Sequence, residues 1–208
     1  VIWVASDFGA IKMVRSRKLF TTYLNGGNAN CSSGFCSIRG ITEDEDGHVY
    51  ISYYNSIHRL DLADDRLIPL LHQVNLINPP FGLVYYKDQL FAGNGVRIDL
   101  RSEKIDSLLP GPLVDQGSLL IDSEDDLLLA YKEKLYRYND SKADYEAIEG
   151  KDFEAFRNQY THLHQGQRSE LIWVGTQSAG LYQWNRKETT LVPFAGPFAE
   201  LQLNSPRI

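Results

Sequence analysis

The sequence predicts an all-β protein, a β-propeller of about five four-stranded antiparallel blades, and three observations carry that prediction. A large or aromatic residue, then a β-branched or apolar one, then a small one recurs as Trp3-Val4-Ala5, Tyr50-Ile51-Ser52, Leu90-Phe91-Ala92, Leu128-Leu129-Ala130 and Trp173-Val174-Gly175, at spacings of 38 to 47 residues. Each copy is followed in step by a second β-rich run, at 11–14, 57–61, 96–99, 135–139 and 181–185, and then by another. Asp, Asn and Gly stand at the joins, where tight turns need a backbone that tolerates left-handed conformations. Repeats near 40 residues, each with four short strands, are the sequence pattern of propeller blades.

Taken in order, the units fall at about 1–24, 37–71, 81–109, 117–148 and 159–194. The first opens on what reads as a second strand, so it has no innermost strand of its own. The second is the fullest copy, with an acidic turn from Glu43 to Gly47 between its first two runs. Asn78-Pro79-Pro80 introduces the third and bars helix, because Pro fixes φ and lacks an N–H. Its Gly93-Asn94-Gly95 is a hairpin signal. The fourth follows Pro110-Gly111-Pro112 and places Leu128 where the others mostly place a ring. Before the fifth, 151–160 offers one helical turn with Phe153 and Phe156 on one side. Residues 203–208 read as the entry to a further innermost strand, Ser205 and Arg207 matching Ser37 and Arg39. The expectation is a fragment of a larger propeller, the alternative being a small ring closed by that tail.

Composition bounds the function. The 208 residues are 43% hydrophobic and 12% aromatic, with a net charge of −6, so a nucleic-acid backbone would be repelled and nucleic acid is not expected as a partner. No apolar run approaches the roughly 20 residues of a membrane-spanning helix, so contact with a membrane is expected only through such a helix in a parent protein.

Chemical motifs are scarce. Cys31 and Cys36 form a candidate local disulfide, with two free thiols as the equal alternative. No zinc-like spacing accompanies them, and no metal or other cofactor is expected. The 43–47 run has four carboxylates before a Gly but lacks the alternating ligands of a calcium loop, and reads as a solvated hairpin turn. His162 and His164 lie two apart on one strand and face the same way, more simply as wet lining residues than as metal ligands. No nucleophile elbow, redox pair, zincin helix or phosphate loop is present, so no catalytic residue is named and the segment is not expected to be an enzyme.

Residues 171–185, LIWVGTQSAGLYQWN, closely resemble the two-component regulator propeller repeat. Residues 37–61 are similar throughout, including Glu43-Asp44 and Asp46-Gly47, and 1–14 are similar with Ala5-Ser6 in place of Gly-Thr. The third and fourth units lack both the Trp and the Gly-Thr, and rest on spacing alone. The resemblance implies the extracytoplasmic sensor region of a bacterial hybrid two-component regulator of the Bacteroides type, in the periplasm. Such propellers precede a further β-domain, a transmembrane helix and a histidine kinase. It further implies a carbohydrate ligand such as an oligosaccharide, or another small ligand, and homodimerisation through the parent sensor. A polysaccharide lyase or hydrolase and a protein-interaction scaffold are the alternatives from other classes.

A sugar site is expected on the face carrying the turns between second and third strands, because rings cover sugar C–H faces and amides satisfy hydroxyls. Phe8, Tyr53, Tyr54, Asn94, Lys132 and Gln177 are the candidate ligand-binding residues there. The competing reading has Tyr53 and Tyr54 filling gaps between blades. Trp3, Trp173 and Trp184 are read as core between sheets.

Overall fold

Short runs of β-branched, aliphatic and aromatic residues cut by turns can satisfy their backbone groups only by pairing with one another, and neighbours in sequence pair most directly as antiparallel hairpins. The computed structural model shows this arrangement. It describes residues 2–6, 9–13, 20–24, 38–53, 56–70, 82–109, 117–150, 153, 160–177 and 179–194, in two units, Val1–Val114 and Asp115–Ile208.

The first unit holds three sheets. Sheet one consists of β1 (Ile2–Ser6), β2 (Gly9–Met13) and β3 (Phe20–Tyr23). Sheet two consists of β4 (Gly40–Glu43), β5 (Val49–Ser52), β6 (Ile57–Asp61) and β7 (Arg66–Pro69). Sheet three consists of β8 (Leu83–Tyr86), β9 (Gln89–Ala92), β10 (Val96–Asp99) and β11 (Ile105–Ser107). The second unit holds sheet four, β12 (Ser118–Ile121), β13 (Leu127–Tyr131), β14 (Lys134–Asn139) and β15 (Asp144–Ala147). It also holds sheet five, β16 (Tyr160–Gln165), β17 (Leu171–Thr176), β18 (Leu181–Asn185) and β19 (Thr190–Pro193). Every sheet is an up-and-down meander, the form of a propeller blade. No helix occurs among the described residues. The helical turn expected at 151–160 lies outside them except for Tyr160, which opens β16, and Phe153, whose ring meets Trp184 edge-on at 6.2 Å.

Successive side chains of a strand point to opposite faces, and within each unit the forward face of one sheet packs against the back face of the next. Val49, Ile51 and Leu60 on the back of sheet two pack with Ala10, Leu24 and Trp3. Tyr50 and Ile57 on its front pack with Leu83, Leu90, Ala92 and Ile98 of sheet three. In the second unit, Leu128, Ala130 and Leu135 meet Ile172, Val174, Trp184 and Leu191. Strands β5 and β13 are buried along their whole length. This is why they read as unbroken apolar runs, each fully buried aliphatic side chain contributing about 1.5–3 kcal/mol.

Two sequence expectations need correction. In sheet three the face toward sheet two carries Leu90 and Ala92, so Phe91, not Leu90, takes the forward position held by Tyr50 in sheet two. The cause is the first hairpin. Sheet two closes it with three residues between Asp44 and His48. Sheet three uses only Lys87-Asp88, both at positive φ (49° and 61°), and the lost residue shifts the register by one. Trp173 is not core between the two sheets of its unit either: it lies half-buried on the face of sheet five that points away from sheet four, whereas Trp184 is 1% exposed between sheets four and five.

Candidate functional site

The turns between second and third strands were the expected ligand face. Phe8 and Tyr54 lie outside the described residues, as do Cys31 and Cys36. Tyr53 is 5% exposed, with its N–H donated to the Ser56 carbonyl at 2.8 Å and its ring edge-on to His58 at 5.7 Å. Burial pushes its phenol up to about 12 and pushes the His58 imidazole down. Asn94 is 1% exposed, and its Oδ1 accepts the Val96 N–H at 3.3 Å within its own hairpin. There Gly95 has φ +83°, and the Leu109 side chain stands 2.8 Å from where a Cβ would be, so the turn admits only glycine without a shift. Lys132 sits at φ 55° in the turn after β13, its ammonium 5.3 Å from the Tyr131 ring centroid. Gln177 is exposed at the tip of a turn that Thr176 ties, its Oγ1 donating to the Gly180 carbonyl at 2.7 Å and accepting the Ala179 N–H at 3.0 Å.

Tyr53 and Asn94 are buried in different sheets of the first unit, while Lys132 and Gln177 stand on different sheets of the second.

A concave site is formed elsewhere, at the other end of sheet two, where the β4–β5 and β6–β7 turns lie side by side. A cleft of about 260 Å³ is lined by Gly47, His48, Arg59, Leu60, Asp61, Leu62 and Ile68. The acidic turn builds one wall. Asp44 Oδ1 accepts the N–H groups of Asp46 (3.0 Å) and His48 (2.8 Å), and its Oδ2 accepts the Tyr50 hydroxyl at 3.0 Å and faces His48 Nδ1 at 3.0 Å. Burial alone would raise this carboxyl. The hydrogen bonds from His48 and Tyr50 outweigh it and hold the group below its usual range. With Nδ1 donating to Asp44, a neutral His48 leaves Nε2 as an acceptor.

The opposite wall is the turn after β6. Asp61 Oδ1 accepts the N–H groups of Ala63 and Asp64, and its Oδ2 pairs with Arg66 at 3.3 Å, the Asp64 N–H being the largest of the effects that lower its pKa. Arg59 has no ion pair among the described residues. A guanidinium donor, an imidazole and a carboxylate acceptor thus surround aliphatic walls, a set suited to a small hydroxylated molecule or one unit of a larger one. The cleft is below the usual 300–1,000 Å³ of small-molecule sites. Among the described residues no group of side chains suits a metal ion, and no helix is long and apolar enough to cross a membrane.

The sheets and their meander order define a propeller-type all-β chain. Its fold is shared with the extracellular domain assigned to the hybrid two component system BT3049 from B. thetaiotaomicron, with TM-score 0.68 and 13% identity over 99% of this chain and 28% of that one. It is shared equally with the extracellular domain of BT4673 from the same organism, described as a one component and as a hybrid two component system, with TM-score 0.67 and 17% identity over 91% of this chain and 25% of that one. Virginiamycin B lyase from Staphylococcus aureus is also similar, with TM-score 0.65 and 15% identity over 93% of this chain and 66% of that one. The chain thus spans about a quarter of the length of these two extracellular domains. No family model matches it, and neither does any curated protein.

Proposed function

We propose that this chain is a ligand-sensing segment of the extracytoplasmic region of a hybrid two-component regulator, with an oligosaccharide as the ligand class. The observation that carries the reading is the shared fold with two extracellular sensor domains over 91–99% of the chain. The repeat pattern in 171–185 and 37–61 points the same way. In this reading the parent protein supplies a transmembrane helix and a histidine kinase, pairs as a homodimer and holds this segment in the periplasm. The cleft beside His48 and Arg59 is where one sugar unit would find donors and acceptors together.

The test is calorimetric titration of the parent's extracytoplasmic region with a panel of plant and host oligosaccharides. The expected result is saturable binding to one glycan class that Arg59→Ala weakens tenfold or more. Absence of binding across the panel would sink the ligand assignment. A second reading, an enzyme, is favoured by the similarity to virginiamycin B lyase, and glycan cleavage products accumulating in the same mixture would establish it instead.

A further inference from the structure

In the cleft of sheet two, the donor and acceptor ends of the His48 ring are set by the wall behind it. Asp44, its side chain 9% exposed, turns one oxygen to the backbone and the other to two side chains. Oδ1 accepts the N–H groups of Asp46 and His48, and Oδ2 meets the Tyr50 hydroxyl and His48 Nδ1, each at 3.0 Å. Burial works against the charged form, and the hydrogen bonds from His48 and Tyr50 outweigh it, so the group stays a carboxylate. A carboxylate only accepts, so the ring nitrogen in front of it must donate. Nε2 is then the acceptor of a side chain that is 48% exposed and lines the cleft.

Arg59 lines the same cleft and brings only donors. It stands opposite Tyr50 on β5 and opposite Ile68 on β7, and it has no ion pair among the described residues. The carboxylate on the other wall, Asp61, is engaged by the N–H groups of Ala63 and Asp64 and by Arg66. Among the described residues the cleft therefore offers one open acceptor, His48 Nε2, and one open set of donors, Arg59.

Charge narrows the ligand further. Asp44, Asp61 and Asp64 outnumber Arg59 and Arg66 around the cleft, so an anionic group meets net repulsion there.

We propose that Asp44 is the positioning residue that fixes the polarity of this cleft, and that this polarity selects a neutral sugar unit with two adjacent hydroxyls, one donating to His48 Nε2 and the other accepting from Arg59. The proposal rests on the sensor reading above and narrows its ligand from oligosaccharides in general to those with an uncharged diol at this unit. Asp44→Asn inverts the polarity without changing the shape. Two backbone N–H groups point at Oδ1, so the amide sets its carbonyl oxygen there and turns its NH2 toward His48. Nδ1 becomes the acceptor, and Nε2 carries the proton into the cleft. A ligand hydroxyl must donate to the unaltered ring but can accept from the inverted one.

The experiment labels the histidines of the chain with nitrogen-15 and reads both ring nitrogens of His48 by NMR at about pH 8.5, above the range in which imidazole ordinarily changes charge. His48→Gln assigns the signals. The proton is expected on Nδ1 in the unaltered protein and in Tyr50→Phe, which removes only the second donor to Oδ2, and on Nε2 in Asp44→Asn. A proton on Nε2 in the unaltered protein would overturn the proposal whether or not Asp44→Asn folds. The same signals are then followed during titration with methyl β-galactoside, methyl α-mannoside, their deoxyfluoro analogues and galacturonate. Fluorine keeps the size of a hydroxyl and cannot donate. Saturable shifts are expected with a neutral glycoside, with galacturonate tenfold or more weaker. One fluorinated position is expected to cost tenfold or more in the unaltered protein and less than twofold in Asp44→Asn. Galacturonate bound as tightly as the galactoside, or an equal fluorine penalty in both proteins, would overturn the proposal. No shift with any glycoside would overturn the sugar site of the sensor reading and this ligand with it, whereas glycoside binding beside a proton on Nε2 would overturn this proposal alone.

Discussion

Between sheets two and three the contact is close and its core is apolar. Gly40 lies on the forward face so near the next sheet that a Cβ would stand 2.7 Å from the Gly82 and Leu83 backbone, and the Gly82 N–H donates to the Arg39 carbonyl at 3.0 Å. Tyr50, Ile57, Leu90 and Ile98 fill the rest. Between sheets four and five an apolar core of the same kind is flanked by a charged clamp. Arg186, its side chain 5% exposed, reaches from the turn after β18 to Asp122 and Asp126 in the turn before β13, both at 2.5 Å, with Glu124 at 3.5 Å. The side chain of Asp122 is 0% exposed, and its Oδ1 also accepts the N–H groups of Glu124 and Asp126. One seam is thus fixed by shape, and the other adds a buried ion pair whose loss would strand a charge.

That difference can be broken from the charged side first, where the largest effect is expected. Arg186→Ala leaves the buried Asp122 without its counter-ion and Asp126 with Arg137 alone, at 3.4 Å, and removing one partner of a buried pair costs about 3–5 kcal/mol. Urea unfolding followed by the fluorescence of Trp184, which lies in this seam, measures it. A loss below about 1 kcal/mol would place the clamp with exposed surface pairs and remove the contrast. The apolar replacement Arg186→Met combined with Asp122→Asn is expected to recover much of the loss, because no buried charge then lacks a partner.

From the apolar side, Gly40→Ala tests shape. The added methyl must displace backbone, which a side chain's flexible end would not require, so a cost of about 1–3 kcal/mol is expected from overpacking. Faster amide exchange in β4 and β8, with β12 and β16 unchanged, would show that the damage is confined to that seam. Unchanged exchange in β8 would mean that Gly40 is not a point of contact.

The strands and their grouping were legible because turn residues punctuate them and because a strand buried on both faces cannot hide its apolar run. The leucines of β13 were visible as core for that reason. The register of sheet three was not, since a hairpin one residue shorter reverses which side chains face forward, and the motif Leu90-Phe91-Ala92 looks the same either way. The expected ligand residues Tyr53 and Asn94 carried the right functional groups, but nothing local in sequence says that a turn residue is 5% or 1% exposed. The Arg186 clamp joins residues 60 apart to Asp126 and more to Asp122, across two sheets, and no spacing rule reaches it. The cleft of His48, Arg59 and Ile68 exists only because two turns of one sheet lie side by side. The shared face of His162 and His164 was legible from their two-residue spacing.

The smallest effect expected tests what the two seams have in common. Thr42→Val keeps the shape of the side chain and removes the acceptor of the Tyr85 N–H, and Ser118→Ala removes the acceptor of the Leu163 N–H. A single hydrogen bond contributes about 0.5–1.5 kcal/mol net, so each variant should lose about 1 kcal/mol despite the different seams around it. Equal losses would identify the hydroxyl as the shared tie between first strands, independent of whether charge or close packing surrounds it. A loss at Ser118 much smaller than at Thr42 would mean that the apolar core and the Arg186 clamp hold sheets four and five without the hydroxyl.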